Sequence, residues 1–102
     1  MIDGLDPVIH APKRLGAMAI VANAPHASFA FLREHLGVSD SDLSKQMSAL
    51  EAAGYVSSSK SGRGRGSRTT FSITRAGRRA YDAHRSALTA LLEHAPAPED
   101  PA

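Results

Sequence analysis

The sequence predicts a single domain, mainly α-helical with a small β-hairpin, in the order α-α-α-β-β-α. Apolar residues recur at helical spacing in four segments, and two short segments between the third and fourth have the composition of strands. Glycine or proline separates most of these segments. The chain has 102 residues, of which 42% are hydrophobic and 22% charged, as expected for one globular domain.

The first two predicted helices are bounded by residues that favour helix ends. Pro12 suits the first turn of a helix at roughly residues 12–23, which Asn23-Ala24-Pro25 ends. Ser28 is a suitable N-cap for a second helix, and Gly37 suits a left-handed residue after its last turn. The inward residues of these helices are Leu15, Met18, Ala19 and Ala22, then Phe29, Leu32 and Leu36.

A third helix at about residues 39–53 follows a tight turn at Gly37-Val38-Ser39. Its start, Ser39 to Asp42, resembles a capping box, and we expect Asp42 to cap its own helix. Gly54 ends it. Its buried stripe consists of Leu43, Met47 and Leu50.

Two strands follow, at about Tyr55–Lys60 and Arg68–Ile73, joined by a glycine- and arginine-rich loop. The second strand places Thr69, Phe71 and Ile73 on one face and Arg68, Thr70 and Ser72 on the other. Thr74 caps a last helix that runs to about His94, so residues 1–94 form the domain. The proline-rich residues 95–102 are predicted to be a disordered tail.

Basic residues are concentrated around the predicted hairpin. Every charged residue from Lys60 to Arg79 is basic, although the formal net charge of the chain is only +2. A local cationic block in a small domain is typical of proteins that bind a polyanion. The charge alone leaves an ordinary solvated face as the alternative. The block contains Lys60, Arg63, Arg65, Arg68, Arg75, Arg78 and Arg79.

The segment Leu32–Leu50 has the organisation of a helix-turn-helix, and the basic hairpin directly after it makes this pattern more specific. The chain resembles the winged-helix regulators related to the MarR and ArsR families, and more narrowly their short stand-alone winged helix DNA-binding domains. The resemblance implies a winged helix-turn-helix fold (α-α-α-β-wing-β-α) and a dimeric bacterial transcriptional repressor or activator. Of the two, we expect a repressor. It extends over about Leu5–Leu92 and rests on Leu36–Ser39, Leu43–Met47, Leu50–Val56 and Phe71–Arg78.

We predict that the third helix enters the major groove of double-stranded DNA, and that the wing at about residues 60–68 binds the minor groove or its flanking backbone. Lys45 is the first candidate on the helix, ahead of Asp42 and Gln46. Lys13, Arg14 and the arginines that open the last helix are weaker candidates. The expected DNA-binding residues are Ser41, Ser44, Lys45, Ser48, Lys60, Arg63, Arg65, Arg68 and Thr70.

A heptad-like seam along the last helix, about residues 74–94, predicts a homodimer. A domain this small needs only part of that stripe for its own core, so Leu88–Leu92 requires a partner. Packing of the whole stripe within one chain is the alternative. The expected interface residues are Tyr81, His84, Leu88, Leu91 and Leu92, with Leu5, Val8 and Ile9 completing the surface.

Several classes are excluded or disfavoured. The chain has no cysteine, which excludes disulfides, thiolate zinc sites and cysteine nucleophiles. No signal peptide and no apolar stretch long enough for a membrane are present, so we expect a cytoplasmic protein. No spacing of Ser, His and Asp suggests a nucleophile with its base, so we expect neither an enzyme nor a cofactor.

Two alternatives to the DNA-binding regulator stay open. In a metal-responsive, ArsR-like sensor, Asp82-Ala83-His84 and His94 would resemble a zinc pattern, but the spacing is one residue short and a further ligand is missing. An unknown small-molecule effector at the dimer interface also stays open. The other alternative, a winged helix that binds only protein, usually lacks a basic wing.

Overall fold

The computed structural model describes residues 2–62 and 67–99. The mainly helical class is confirmed, and in the described part of the chain no helix combines the length and apolar character that a membrane crossing requires. Residues 95–99 form neither helix nor strand. The elements in chain order are α1 (Pro12–Ala22), β1 (Ala27–Ser28), α2 (Phe29–Leu36), α3 (Asp40–Ala52), β2 (Val56–Ser61), β3 (Arg68–Ile73) and α4 (Arg75–His94).

The sheet has three strands, not the two that the sequence predicts. β3 lies in the centre and is antiparallel to β2 on one side and to β1 on the other. β1 consists only of Ala27 and Ser28, which pair with Phe71 and Thr70. A strand of two residues is too short to show an alternation, so the sequence pattern could not reveal it.

The helix ends follow the side chains identified in the sequence. Pro12 occupies the first turn of α1. Ser28, Ser39 and Thr74 each accept a hydrogen bond from a backbone N–H in the first turn of α2, α3 and α4. Gly37 follows α2 with a φ of 65°, a left-handed conformation that glycine adopts without strain. The tight turn from α2 to α3 therefore arises from local chemistry.

One hydrophobic core joins the N-terminal segment, the first three helices and the sheet. The predicted inward residues of α3, Leu43, Met47 and Leu50, are all buried. Ile9 is 0% exposed, so the prediction that it completes a dimer surface is wrong: it packs inside its own protomer. The core side chains include Ile9, Met18, Val21, Leu32, Leu43, Met47, Leu50, Val56 and Phe71.

α4 begins against the backbone that joins α3 to β2. The Thr74 N–H donates to the Tyr55 carbonyl at 3.0 Å, and the Thr74 hydroxyl donates to the Gly54 carbonyl at 2.6 Å. A Cβ at Gly77 would lie 2.0 Å from the Tyr55 carbonyl oxygen. Glycine therefore permits α4 to start this close to the end of α3, and these contacts orient the two helices.

His84 is buried in the protomer. Its exposed fraction is 0%, and it is the one buried polar side chain among residues 2–62 and 67–99. Its Nδ1 accepts a hydrogen bond from the Asp6 N–H at 2.9 Å, and its Nε2 lies 3.2 Å from Nδ1 of His10. The prediction that His84 belongs to a dimer seam is wrong, because this side chain binds the N-terminal segment of its own protomer.

Candidate nucleic-acid interface

α3 presents polar side chains on the side opposite its buried stripe. Ser41, Ser44, Lys45 and Ser48 are all exposed. Their helical spacing places them on one outward face. Lys45 forms no ion pair within the described ranges. The face therefore offers hydroxyl groups and one outward cation, which can bind base edges and phosphates.

The hairpin lies directly beside this side of α3. A shallow cavity of about 220 Å³ separates the two elements. Ser44 and Ser48 line it from α3, and Ser58 and Thr69 line it from β2 and β3. Ser58 and Thr69 are not among the DNA-binding residues expected from the sequence. The available signal was the alternation in β3, which already placed Thr69 on the face of the apolar Phe71.

The register of the hairpin divides the predicted wing residues between its two faces. Lys60 pairs with Thr69, so the two side chains share the face that lies toward α3. Arg68 and Thr70 lie on the other face of β3, where they line a cavity of about 620 Å³ together with Ile20. Lys60 is therefore near α3, whereas Arg68 and Thr70 are not. The other two predicted wing residues, Arg63 and Arg65, lie outside the described residues.

The negative charge of Asp42 is neutralised by Lys13 of the neighbouring helix α1. Its carboxylate forms an ion pair with Lys13 of α1 and accepts a hydrogen bond from the Gln46 side chain. These contacts, the one from Lys13 first, lower the pKa of Asp42. Only half of the expected capping box forms: the Ser39 hydroxyl accepts from the Asp42 N–H, but the carboxylate of Asp42 turns to Lys13 instead of capping the helix.

The remaining acids of α3 also have partners. Asp40 accepts a hydrogen bond from Nη1 of Arg33 at 2.9 Å, which ties α2 to the start of α3. Glu51 accepts from the Ser58 hydroxyl at 3.0 Å. Two of the three carboxylates of α3 are in ion pairs, whereas Glu51 and the one cation of the helix, Lys45, have no opposite charge among the described residues.

Two of the weaker candidates for phosphate contact have structural partners. Arg14 donates from Nε to the Val8 carbonyl and from Nη1 to Oε1 of Gln46. Arg78 donates to the carbonyl of Ala22, the last residue of α1. The arginine near the start of α4, which opposes the helix dipole, thus satisfies a carbonyl at the end of another helix.

The C-terminal half of α4 carries leucines that the protomer covers only in part. Leu88 and Leu91 are half-buried, and Leu92 is 73% exposed. Tyr81, nearer the start of the helix, packs against the domain core. The N-terminal segment also reaches α4, since a Cβ at Gly4 would lie 3.0 Å from the Ala87 side chain. An apolar strip therefore remains along the end of α4.

The residues that resemble a zinc pattern are not brought together. His84 faces the N-terminal segment from inside the domain, whereas Asp82 and His94 line a groove on the outer side of α4. Within the described ranges, no three His, Asp or Glu side chains form a group that could hold a metal ion. The geometry therefore lends no support to the metal-sensor alternative.

Comparison with known proteins adds a family and several related folds. A family model described as a winged helix DNA-binding domain matches residues 13–92. No curated protein sequence matches the chain significantly. Among solved structures, a transcriptional regulator homologue from Pyrococcus horikoshii OT3 is 27% identical with a TM-score of 0.78, over 84% of this chain and 85% of that one.

Two further solved structures share the fold at lower identity. The putative transcriptional regulator ytfH from Salmonella typhimurium is 17% identical with a TM-score of 0.72, over 83% of this chain and 75% of that one. The transcriptional repressor CouR, bound to a 23-mer DNA duplex, is 18% identical with a TM-score of 0.72, over 86% of this chain and 61% of that one. Other neighbours are an ArsR family regulator and a MarR family member. The protein therefore belongs to the winged helix DNA-binding domain family.

Proposed function

We propose that this protein binds a specific site on double-stranded DNA as a homodimer and represses transcription from it. The observation that carries the proposal is the groove that α3 shares with the hairpin, lined by Ser44 and Ser48 from one and Ser58 and Thr69 from the other. An α-helix fits the major groove of B-DNA, and short hydroxyl side chains allow its backbone to approach the base edges. The hairpin beside it then meets the adjacent backbone.

The residues of this surface divide into two roles. Lys45 and the serines of α3 contact base edges in the major groove, where serine can pair with several bases and gives a permissive readout. Lys60, on the hairpin face toward α3, contacts phosphate. Arg63 and Arg65 are assigned to the minor groove from the sequence alone, since narrow grooves attract arginine. Ser58 and Thr69 replace Arg68 and Thr70 in the proposed interface, because the latter pair lies on the other hairpin face.

The homodimer is supported by the apolar strip at the end of α4. Pairing Leu88, Leu91 and Leu92 with a partner by two-fold symmetry would cover side chains that the protomer leaves exposed. Two α3 helices would then meet successive major grooves about 34 Å apart. Repression is supported by the DNA-bound repressor CouR, which shares the fold, and by the simplest consequence of binding a promoter, which is to block access to it.

Selection of bound sequences from random DNA, followed by affinity measurements on the selected site, tests the proposal. Lys45→Ala should weaken binding and change the preferred sequence. Replacing both Arg63 and Arg65 with Ala should weaken binding to all sequences alike and reduce its dependence on salt. Arg85→Ala, on the outer side of α4, removes a cation away from the groove and should change neither property. Unchanged affinity in both test variants would reject the proposed interface.

The sign of regulation needs a separate measurement. A reporter gene is placed behind a promoter that overlaps the selected site. Expression should fall when the wild-type protein is present and recover with Lys45→Ala. Activation of the reporter would contradict repression while leaving the DNA interface in place.

A further inference from the structure

The N-terminal segment, the end of α3 and α4 meet in one hydrogen-bond network. His84 of α4 accepts from the Asp6 N–H at 2.9 Å, and its other ring nitrogen lies 3.2 Å from Nδ1 of His10. The Tyr55 hydroxyl donates to Oδ2 of Asp6 at 2.6 Å, and Oδ1 of Asp6 accepts from the Val8 N–H at 2.8 Å. The network lies outside the groove assigned to DNA and contributes nothing to the proposed base or phosphate contacts.

The geometry determines where the imidazole protons are. A backbone N–H can only donate, so Nδ1 of His84 carries no proton and the neutral ring has its proton on Nε2. That N–H donates to Nδ1 of His10, which must also be unprotonated. A proton added at Nδ1 of His84 would face the Asp6 N–H, and one added at Nδ1 of His10 would face the His84 N–H. Either change places two donors against each other.

We propose that His10, His84 and Asp6 form a proton-operated latch, in which the neutral histidine pair holds the N-terminal segment on α4 and one added proton releases it. The released segment is residues 2–11, the part of the chain before α1, and its release also takes Ile9 out of the core. The latch, meaning these three residues, is a conformational device separate from the DNA interface. Its effect on DNA affinity, described below, rests on the proposed function.

The surroundings of His84 favour the closed latch at neutral pH. Burial of the ring, with its exposed fraction of 0%, and then the neighbouring His10 lower the pKa of His84, while Asp6 opposes them. The latch is therefore closed above the ordinary value of 6.5 and opens as the pH falls below it. Tyr55 reaches the ring only through Asp6. The other charged groups on α1 and near His84 on α4 have partners elsewhere or are exposed: Lys13, Arg14, Asp82 and Arg85.

Tyr55 connects the latch to the DNA-binding helix. It lies just after α3, and its carbonyl packs against Gly77 of α4. When the N-terminal segment dissociates from α4, the Tyr55 hydroxyl loses its acceptor, the carboxylate of Asp6, and His84 becomes exposed to solvent. The contacts of α4 that remain are those near its start, made by Gly77, Arg78 and Tyr81. In the proposed dimer this loosens the spacing of the two α3 helices, so DNA affinity should fall at acid pH.

Nitrogen NMR of the full-length chain between pH 8 and 5 tests the latch directly. At pH 7.5, His84 should show the tautomer protonated on Nε2, and the Asp6 amide should exchange slowly. As the pH falls, His84 should take up a proton. The amides of residues 6 and 8–10 should lose protection at the same midpoint, by about tenfold for each pKa unit that separates the closed and open states. Protonation of His84 with the Asp6 amide still protected would overturn the proposal.

Two asparagine variants separate the latch from general acid effects. His84→Asn keeps an acceptor near the position of Nδ1 without a titrating ring, so the amides of residues 6 and 8–10 should stay protected down to pH 5. His26→Asn removes an exposed histidine elsewhere and should behave as wild type. The same loss of protection in His84→Asn as in wild type would also overturn the proposal. If His84→Asn does not fold, His10→Asn replaces it. This variant keeps an acceptor for His84 but removes the neighbouring ring that lowers the pKa of His84, so the midpoint should shift to higher pH. An unchanged midpoint would overturn the latch.

DNA affinity is measured separately, with the selected site at pH 7.5 and 5.5. Wild type should lose affinity at the lower pH, and His84→Asn should lose less. A latch that opens in the NMR experiment, in a protein that binds DNA at neither pH, would reject the proposed function and leave the latch standing. Equal losses of affinity in the two proteins would reject the link from the latch to α3.

Discussion

The phenol of Tyr55 donates a hydrogen bond to the carboxylate of Asp6 at 2.6 Å, across 49 positions of the sequence. Burial raises the pKa of Asp6, but the hydrogen bonds from the Tyr55 hydroxyl and from the amides of Ile9 and Val8 outweigh it and leave the pKa lowered. The same bond, followed by burial, raises the pKa of Tyr55. The charged form of Asp6 therefore stabilises the fold.

Tyr55→Phe should lower the free energy of unfolding by about 2 kcal/mol at pH 7.5, the usual contribution of a hydrogen bond to a charged group. Because the pKa of Asp6 is depressed, its stabilisation is present above the ordinary value of 3.8 and is lost as the pH falls through the folded value. Opening of the latch already removes part of this stabilisation below pH 6.5. Urea unfolding of both proteins at pH 7.5, 5 and 2.5 should show a difference that shrinks at each step. Tyr81→Phe is the control, and a difference that is constant with pH would contradict the prediction.

Gly77→Ala should destabilise the protein although alanine is the better helix former. The new Cβ would lie 2.0 Å from the Tyr55 carbonyl oxygen, so α4 must move away from the end of α3. We expect a loss of about 3 kcal/mol, at the upper end of what overpacking usually costs. Ala90→Gly, on an exposed position of the same helix, should cost about 1 kcal/mol from propensity alone. Thermal unfolding compares the two, and a stabilised Gly77→Ala would refute the close contact.

Removal of Lys13 should weaken DNA binding without any contact between Lys13 and DNA. Lys13→Met leaves the carboxylate of Asp42 without its ion pair at the start of α3, where it would repel the phosphates. Affinity for the selected site should fall several-fold. Adding Asp42→Asn to the same chain should restore most of it, because the unpaired charge is then gone. A double variant as weak as the single one would mean that Lys13 itself binds phosphate.

The apolar strip on α4 should determine the oligomeric state. Light scattering at micromolar concentration should show a dimer for wild type and a monomer when Leu91 and Leu92 are both changed to Glu. The matched control changes Thr89 and Ala90, which line the outer groove of α4, to Glu and should stay dimeric. Circular dichroism verifies that each variant retains its helices. A monomeric wild type would reject the homodimer and, with it, the paired spacing of the recognition helices.

Helix ends and strand β3 could be predicted from the sequence because the interactions that produce them are local. Ser28, Gly37 and Thr74 act on backbone groups within a few residues of themselves, so composition and spacing are sufficient. The same holds for the polar face of α3, which follows from helical periodicity once Leu43, Met47 and Leu50 are assigned to the core. Motifs of this local kind also carried the family resemblance.

The partners of polar side chains were beyond the reach of the sequence, because periodicity shows which face a residue occupies and not what lies opposite that face. His84 has the spacing of a residue in a dimer seam, yet its Nδ1 accepts a hydrogen bond from the Asp6 N–H, 78 positions away in the sequence. Asp42 has the spacing of a cap, yet Lys13 of another helix takes its carboxylate. The two-residue strand β1 exists only because Ala27 meets Phe71 in the folded chain. Local chemistry thus specified the elements and the family, and packing between distant segments decided which polar side chains remain exposed on the surface proposed to bind DNA.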